Sequence, residues 1–367
     1  MPQLLDVYTI VAPGLEEECA SELKKLGVSD LLVEHGGISF RGDRELVQRA
    51  NLMLRTASRV LVRLGTFRCR DFPQLFQRCR DLPWGRYVKK ETPLEVAVTT
   101  HHSRLIHSGR IAETVCEAVN KALGRTSSEG MVAQRVQVRI EDDLCTVSID
   151  SSGELLHRRG YRSESGAAPL RETLAAGILL KLGWDGSEPL FDPMCGSGSF
   201  LIEGALLAAG IPPGIQRDFA FSRWPKFRPG AWQVLKESSR RNCKNPFLSG
   251  YDIDNEVLLR AERNAERAGV AERITWQRGD FLVLTAPTTA GLVVSNPPYG
   301  ERLGKTSDLP GLYRDFGTLL RREFAGWRYA FLCPDKELAQ ATGLNVQSLC
   351  QLSNGGLQVE LFTGQIP

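Results

Sequence analysis

The sequence predicts an α/β protein: a mostly parallel sheet with helices on both faces, ended by an antiparallel hairpin and preceded by an α+β region. Three observations predict it. From Leu170 onward, short apolar runs alternate with long helical patterns, the rhythm of a parallel sheet covered by helices. Before Ser163 the strands and helices are shorter and alternate more tightly. The 367 residues suffice for two or three domains at about 150 residues each.

In order, Asp6 to Val11 reads as a strand, Pro13-Gly14 as a turn, and Leu15, Cys19, Leu23 and Leu26 as one face of a helix. Glutamates open that helix, lysines close it and Gly27 stops it, as the helix dipole and C-terminal geometry favour. Strands follow at Leu31 to Glu34 and Gly37 to Arg41, then a helix from Asp43 to Leu54 and a strand from Arg59 to Phe67. A second unit comprises a helix at Phe72 to Arg80, a strand at Leu94 to Thr100 and a helix at Ser108 to Leu123. It ends with strands Val132 to Ile140 and Leu144 to Asp150 paired about Glu141-Asp142-Asp143.

The small, polar run Ser163 to Pro169 reads as a boundary. Beyond it lie a helix at Leu170 to Leu182, a strand at Pro189 to Phe191, a helix at Ser199 to Ala209 and a strand at Leu248 to Tyr251. A helix at Asn255 to Ala268 precedes strands Ile274 to Gln277 and Gly291 to Ser295, a helix at Leu309 to Phe324 and a strand at Tyr329 to Cys333. Asn354-Gly355-Gly356 then turns a terminal hairpin.

Composition excludes several classes. Apolar residues at 42% and charged residues at 24% are those of a globular protein rather than a disordered or fibrous one. No run approaches the ~20 apolar residues of a membrane span, and the start lacks a secretory pattern. Nine scattered cysteines without a C-x-x-C pair fit reduced thiols in the cytoplasm and argue against a disulfide framework or a cysteine zinc site. His101, His102 and His107 cluster without further ligands, so no metal is expected. Net charge is only +3, but Arg41 to Lys90 holds 13 basic and 4 acidic side chains, either a solvated surface or a face for an anionic polymer.

Four motifs carry chemistry. "FDPMCGSGSF" (Phe191 to Phe200) ends a strand and opens a helix; Gly196 and Gly198 let the backbone turn and a ligand approach. It lacks the third glycine of a dinucleotide fingerprint, and Asp192 suits a cationic ligand better than a pyrophosphate. "GYDID" (Gly250 to Asp254) places Asp252 where a carboxylate accepts ribose hydroxyls, with Asp254 the natural helix cap. "RGDF" offers Asp280 to an exocyclic amine and Phe281 to a flat ring. "VVSNPPYG" ends a buried strand at two prolines that cannot extend the sheet. Asn296, Pro297 and Pro298 supply carbonyl acceptors and Tyr299 an aromatic face, a slot for a planar base bearing an amine.

These motifs resemble the class I S-adenosylmethionine-dependent methyltransferases that modify exocyclic amines. With "GELLHRRGYR", "APLRETLAAGIL", the Phe-x-x-Trp-Pro insertion and "PGLEEECASELKKLG", the whole chain looks like the THUMP-containing RNA guanine-N2 methyltransferases, the bacterial large-subunit ribosomal RNA type above all. The resemblance implies a ferredoxin-like region at 1–65, a THUMP RNA-binding domain at 66–160 and a Rossmann-like methyltransferase domain at 161–367. It implies S-adenosylmethionine as cofactor, held by Asp192, Pro193, Gly196, Gly198, Asp252, Ile253, Asp280, Phe281 and Asn296. It assigns the target amine to Asn296, Pro297, Pro298 and Tyr299. Ribosomal RNA is the expected partner, with transfer RNA as the alternative; no membrane partner is expected. Arg158, Arg159, Tyr161 and Arg162 form a candidate RNA-facing set, or else a solvated hinge. Two further readings remain: a DNA or protein amine methyltransferase, and a catalytically idle RNA-binding or assembly factor.

Overall fold

A computed structural model describes residues 4–125, 132–162, 170–239, 244–299 and 308–367. The expected boundary at Ser163 to Pro169 lies outside them, as do Cys243 and Gly300.

The first sheet grows from strands that bury alternate residues. Its elements are β1 (Leu5–Val11), α1 (Glu16–Lys25), β2 (Leu31–Glu34), β3 (Gly37–Gly42), α2 (Arg44–Met53), β4 (Ala57–Arg68), α3 (Phe72–Arg80), β5 (Leu94–His101), α4 (Ser108–Leu123), β6 (Gln134–Glu141) and β7 (Leu144–Asp150). Asp43 caps α2 by accepting from Leu46 N at 2.8 Å, and Asp71 caps α3 by accepting from Gln74 N at 2.8 Å. Asp142 and Asp143 both take positive φ, 50° and 61°, the two-residue turn that suits a twisted hairpin between β6 and β7. The strands run in the order β2-β3-β1-β4-β7-β6-β5. Because β4 pairs with β1 on one side and β7 on the other, one continuous sheet crosses the expected limit near residue 65.

The second sheet comes from α5 (Glu172–Lys181), β8 (Leu190–Asp192), α6 (Ser199–Ala208), α7 (Pro229–Ser238), β9 (Leu248–Asp252), α8 (Asn255–Ala268), β10 (Ile274–Arg278), β11 (Leu292–Ser295), α9 (Leu309–Glu323), β12 (Arg328–Cys333), α10 (Lys336–Ala341), β13 (Gln347–Asn354) and β14 (Leu357–Gln365). Its order is β10-β9-β8-β11-β12-β14-β13. Strands β8 to β12 are parallel, and β14 runs antiparallel between β12 and β13. The order reverses between β8 and β11, the switch point where open α/β sheets bind ligands.

The two halves share one apolar core reaching from Leu5 to Leu361. A Cβ on Gly177 of α5 would meet Leu15 at 2.4 Å, so α5 lies hard against the start of α1; Lys181 and Glu18 pair beside it at 2.9 Å. The insertion after α6 clamps the first sheet. Phe221 N donates to Ser151 O at 3.1 Å, and Trp224 Nε1 donates to Gln134 Oε1 at 2.9 Å.

The "HRRGYR" stretch corrects one expectation. Arg159 and Tyr161 are 3% and 1% exposed and both bond to buried Glu203 of α6, at 3.4 and 3.1 Å. Arg159 also donates to Arg55 O at 2.6 Å, and Arg162 pairs with Glu172 at 3.5 Å. These side chains fasten the halves together, so of the four only Arg158 is exposed.

Candidate active site

Three strand ends build the site. β8 stops at Asp192, whose side chain is 2% exposed and accepts from Ser295 Oγ at 3.0 Å and Met194 N at 3.2 Å. Burial, reinforced by the nearby Asp252 charge, pushes this carboxyl up to about 7. The loop then turns through Gly196 and Gly198, with φ of 54° and 79°, into α6. The two glycines differ in their surroundings. A Cβ on Gly198 would meet the Trp276 ring at 2.5 Å, whereas one on Gly196 would meet nothing within 4 Å. Gly198 therefore serves close packing, and Gly196 leaves open the space a ligand needs.

β9 ends at Asp252. Its Oδ2 accepts from Gly196 N at 2.9 Å and its Oδ1 from Asp254 N at 3.0 Å, which ties the glycine loop to the next strand. Cys195 N adds a bond to Tyr251 O at 2.8 Å. Each carboxylate oxygen keeps lone-pair capacity for a hydroxyl. Asp254 caps α8, accepting from Glu256 N at 2.9 Å. Ile253 is 67% exposed on the rim. Asp280 is also exposed and accepts from Leu282 N at 3.0 Å; half-buried Phe281 packs onto the core beneath β11 and β12. Gly279 N, donating to Asp252 O at 3.1 Å, draws this loop alongside Asp252.

β11 ends at Ser295 and Asn296. Asn296 Oδ1 is shielded from solvent and has no hydrogen-bond partner. A buried acceptor left unmet costs about 1–3 kcal/mol unless a ligand supplies a donor. Pro297 is buried and Pro298 half-buried. Tyr299 departs from expectation: its ring is 2% exposed and its hydroxyl accepts from Asn354 Nδ2 at 2.7 Å. In this conformation the ring braces the loop against the β13–β14 turn and offers no open face for stacking.

Sequence reasoning missed Ser295 and Asn354. Ser295 stood in the quoted motif, but its neighbours hide the bond to a carboxylate one strand away. Asn354 was legible only as a turn residue. The residues present fit a cationic, ribose-bearing donor: open Gly196, a diol-competent carboxylate, a buried carboxyl and an acceptor lacking a donor. Among the described residues no cluster of His, Cys, Asp or Glu could hold a metal ion, and no helix is long and apolar enough to cross a membrane.

A sheet in this order, with a glycine loop after its first strand, an acidic residue ending the second and Asn-Pro-Pro-Tyr ending the fourth, defines a class I methyltransferase. The chain belongs to the RMKL-like methyltransferase family, whose domain model matches residues 159–361; models of the RlmL ferredoxin-like domain and the THUMP domain match 6–61 and 69–150. A Synechocystis sp. relative named "Putative RNA methyltransferase slr0064" is 35% identical over 97% of this chain and 95% of its own. The ribosomal RNA large subunit methyltransferase K/L of Vibrio campbellii is 37% identical over 95% of this chain. The chain spans about half the length of that relative, 51%. The crystal structure of SMU.472 complexed with SAH superposes with a TM-score of 0.92 at 30% identity, covering 100% of this chain and 99% of that one. The family's methyl donor is S-adenosylmethionine.

Proposed function

We propose that this chain methylates the exocyclic N2 amine of a guanine in large-subunit ribosomal RNA. The observation that carries the reading is Asn296, a buried acceptor without a donor, set beside Asp192 where the sheet order reverses. The THUMP match and the naming of the relatives support RNA, and ribosomal RNA over transfer RNA. An idle binding module has no need of a buried carboxyl beside an unmet acceptor.

Bound S-adenosylmethionine supplies a methyl group already activated on a sulfonium sulfur. When the donor is bound, Asp252 would accept its ribose hydroxyls, Asp192 would face its cationic part, and Asp280 with Phe281 would border its adenine. Asn296 Oδ1 and the Pro297 carbonyl accept the two amine hydrogens. The nitrogen lone pair is thereby drawn out of conjugation and aimed along the breaking bond. With the methyl passing from sulfur to nitrogen, the nitrogen would become cationic and acidic and would release one proton to water, so that no residue of this site need act as a strong base. The target base must leave its stack, at a cost of a few kcal/mol that backbone contacts offset.

The test is incubation with labelled donor and separate unmodified ribosomal and transfer RNA pools, then mass spectrometry of the nucleosides. N2-methylguanosine at one position of the large-subunit RNA is expected. Label in transfer RNA alone, or at another base, would overturn the assignment.

A further inference from the structure

A cleft of about 1040 Å³ opens where the two halves meet. Its wall includes Arg135 of β6, Arg158 from the connection after β7, Arg171 at the start of α5, and Arg217 and Arg223 from the insertion. At one end it reaches Gly355, the neighbour of the Asn354 that holds Tyr299. It therefore runs from the THUMP strands to the β13–β14 turn, against which the Tyr299 loop is braced.

The charges along it are not balanced. Arg135 pairs with Glu95, Arg158 with Glu154 and Arg162 with Glu172. Arg171 and Arg223 make no side-chain hydrogen bond or ion pair among the described residues, and the one similarly unpaired acid on the wall, Asp218, leaves a surplus of positive charge. Arg217 is only 8% exposed; it donates to the carbonyls of Leu155, Arg158 and Glu154 and lies over the Phe219 ring at 5.1 Å, while its Nε has no partner and no carboxylate pairs with it among the described residues. A buried guanidinium without a carboxylate is costly unless an anion completes it. The neighbouring groups record the same field. Burial and then the Arg171 charge push His157 down to about 4, and burial with Arg159 nearby lowers Arg217 to about 10.

We propose that this cleft grips backbone phosphates of a single RNA strand through Arg171, Arg217 and Arg223 and leads that strand to Asn296. The inference rests on the RNA reading above. Unlike the base slot it needs no sequence, because guanidinium groups read phosphate rather than base. Its size is that of a ligand pocket, suited to a few nucleotides of an unpaired strand rather than a duplex.

The probe is a fluorescein-labelled, mixed-sequence single-stranded RNA decamer, followed by anisotropy as KCl is raised from about 50 to 300 mM. The Arg171→Ala/Arg223→Ala pair should bind roughly tenfold more weakly than the parent at about 100 mM salt, and its log–log salt slope should be shallower by about 1.4 for two lost phosphate contacts. Arg171→Lys/Arg223→Lys should keep the slope, which separates lost charge from lost fold. Lys24→Ala/Lys25→Ala, exposed on α1, should bind like the parent. An alanine pair matching the parent in affinity and slope would overturn the cleft while leaving the RNA reading standing. A parent that fails to bind the decamer even at low salt would overturn both.

Discussion

The two sheets treat buried charge in opposite ways. In the first, the buried acids among the described residues have structural partners. Glu22 accepts from Arg55 N, Thr56 N and Thr56 Oγ1 at 2.8, 3.1 and 2.7 Å, and Asp150 pairs with Arg59. In the second, Asp192 has two neutral donors, no cation, and the unmet Asn296 close by. Satisfied charge fixes geometry; unsatisfied charge is kept where a ligand completes it. Glu172 and Glu203 belong by sequence to the second half but behave like the first, buried and spent on the joint.

That contrast can be broken most forcefully at the joint. Glu203→Ala leaves Arg159 buried without its carboxylate and should cost about 3–5 kcal/mol in denaturant unfolding. A loss below about 1 kcal/mol would show the joint to be soft. Asp252→Ala comes next: it removes the ribose acceptor and the clasp on Gly196, and donor affinity by calorimetry should fall roughly 10- to 100-fold with modest loss of stability. Unchanged affinity would remove Asp252 from the site.

The third effect is a pH dependence. The raised carboxyl of Asp192, at about 7, holds a proton that competes with a cationic donor. Donor affinity should therefore rise as pH climbs through 7 and level off above it, falling by up to about tenfold per unit well below. Folding responds in the opposite sense: this group favours its neutral form when folded, so its contribution to stability declines as pH rises from the ordinary carboxylate range to 7. Asp192→Asn should flatten the binding curve; a curve of unaltered shape would assign the titration elsewhere. The smallest effect is expected from Asn354→Ala, which unties Tyr299. A few-fold fall in turnover with unchanged donor affinity is predicted, whereas equal losses in both would make the tie merely structural.

How much of this the sequence disclosed depended on whether the cause was local. Helix α4 read at its observed limits because its apolar stripe runs straight into Gly124, which ends it in the left-handed conformation. Helix α7 escaped because it buries no residue, and α10 because six residues make too short a pattern. The single first sheet escaped because the pairing of β4 with both β1 and β7 is long-range and leaves no periodic trace. In the site, Asp192, the glycines, Asp252 and Asn296 were legible because strand ends and turns announce themselves. The bonds Ser295 to Asp192 and Asn354 to Tyr299 join residues 103 and 55 positions apart, so no local pattern shows them. The buried joint was misread for a related reason: arginines look like solvent-facing charge until their carboxylate, here on α6, is found.

We propose that acceptors at the end of β11, rather than acid–base groups, activate the amine. The most direct test is Asn296→Ala, with donor affinity by calorimetry and single-turnover methyl transfer measured on the same preparation. A dissociation constant within about twofold of the parent and a transfer rate lower by roughly 100-fold or more are expected. Transfer at the parental rate would contradict this proposal.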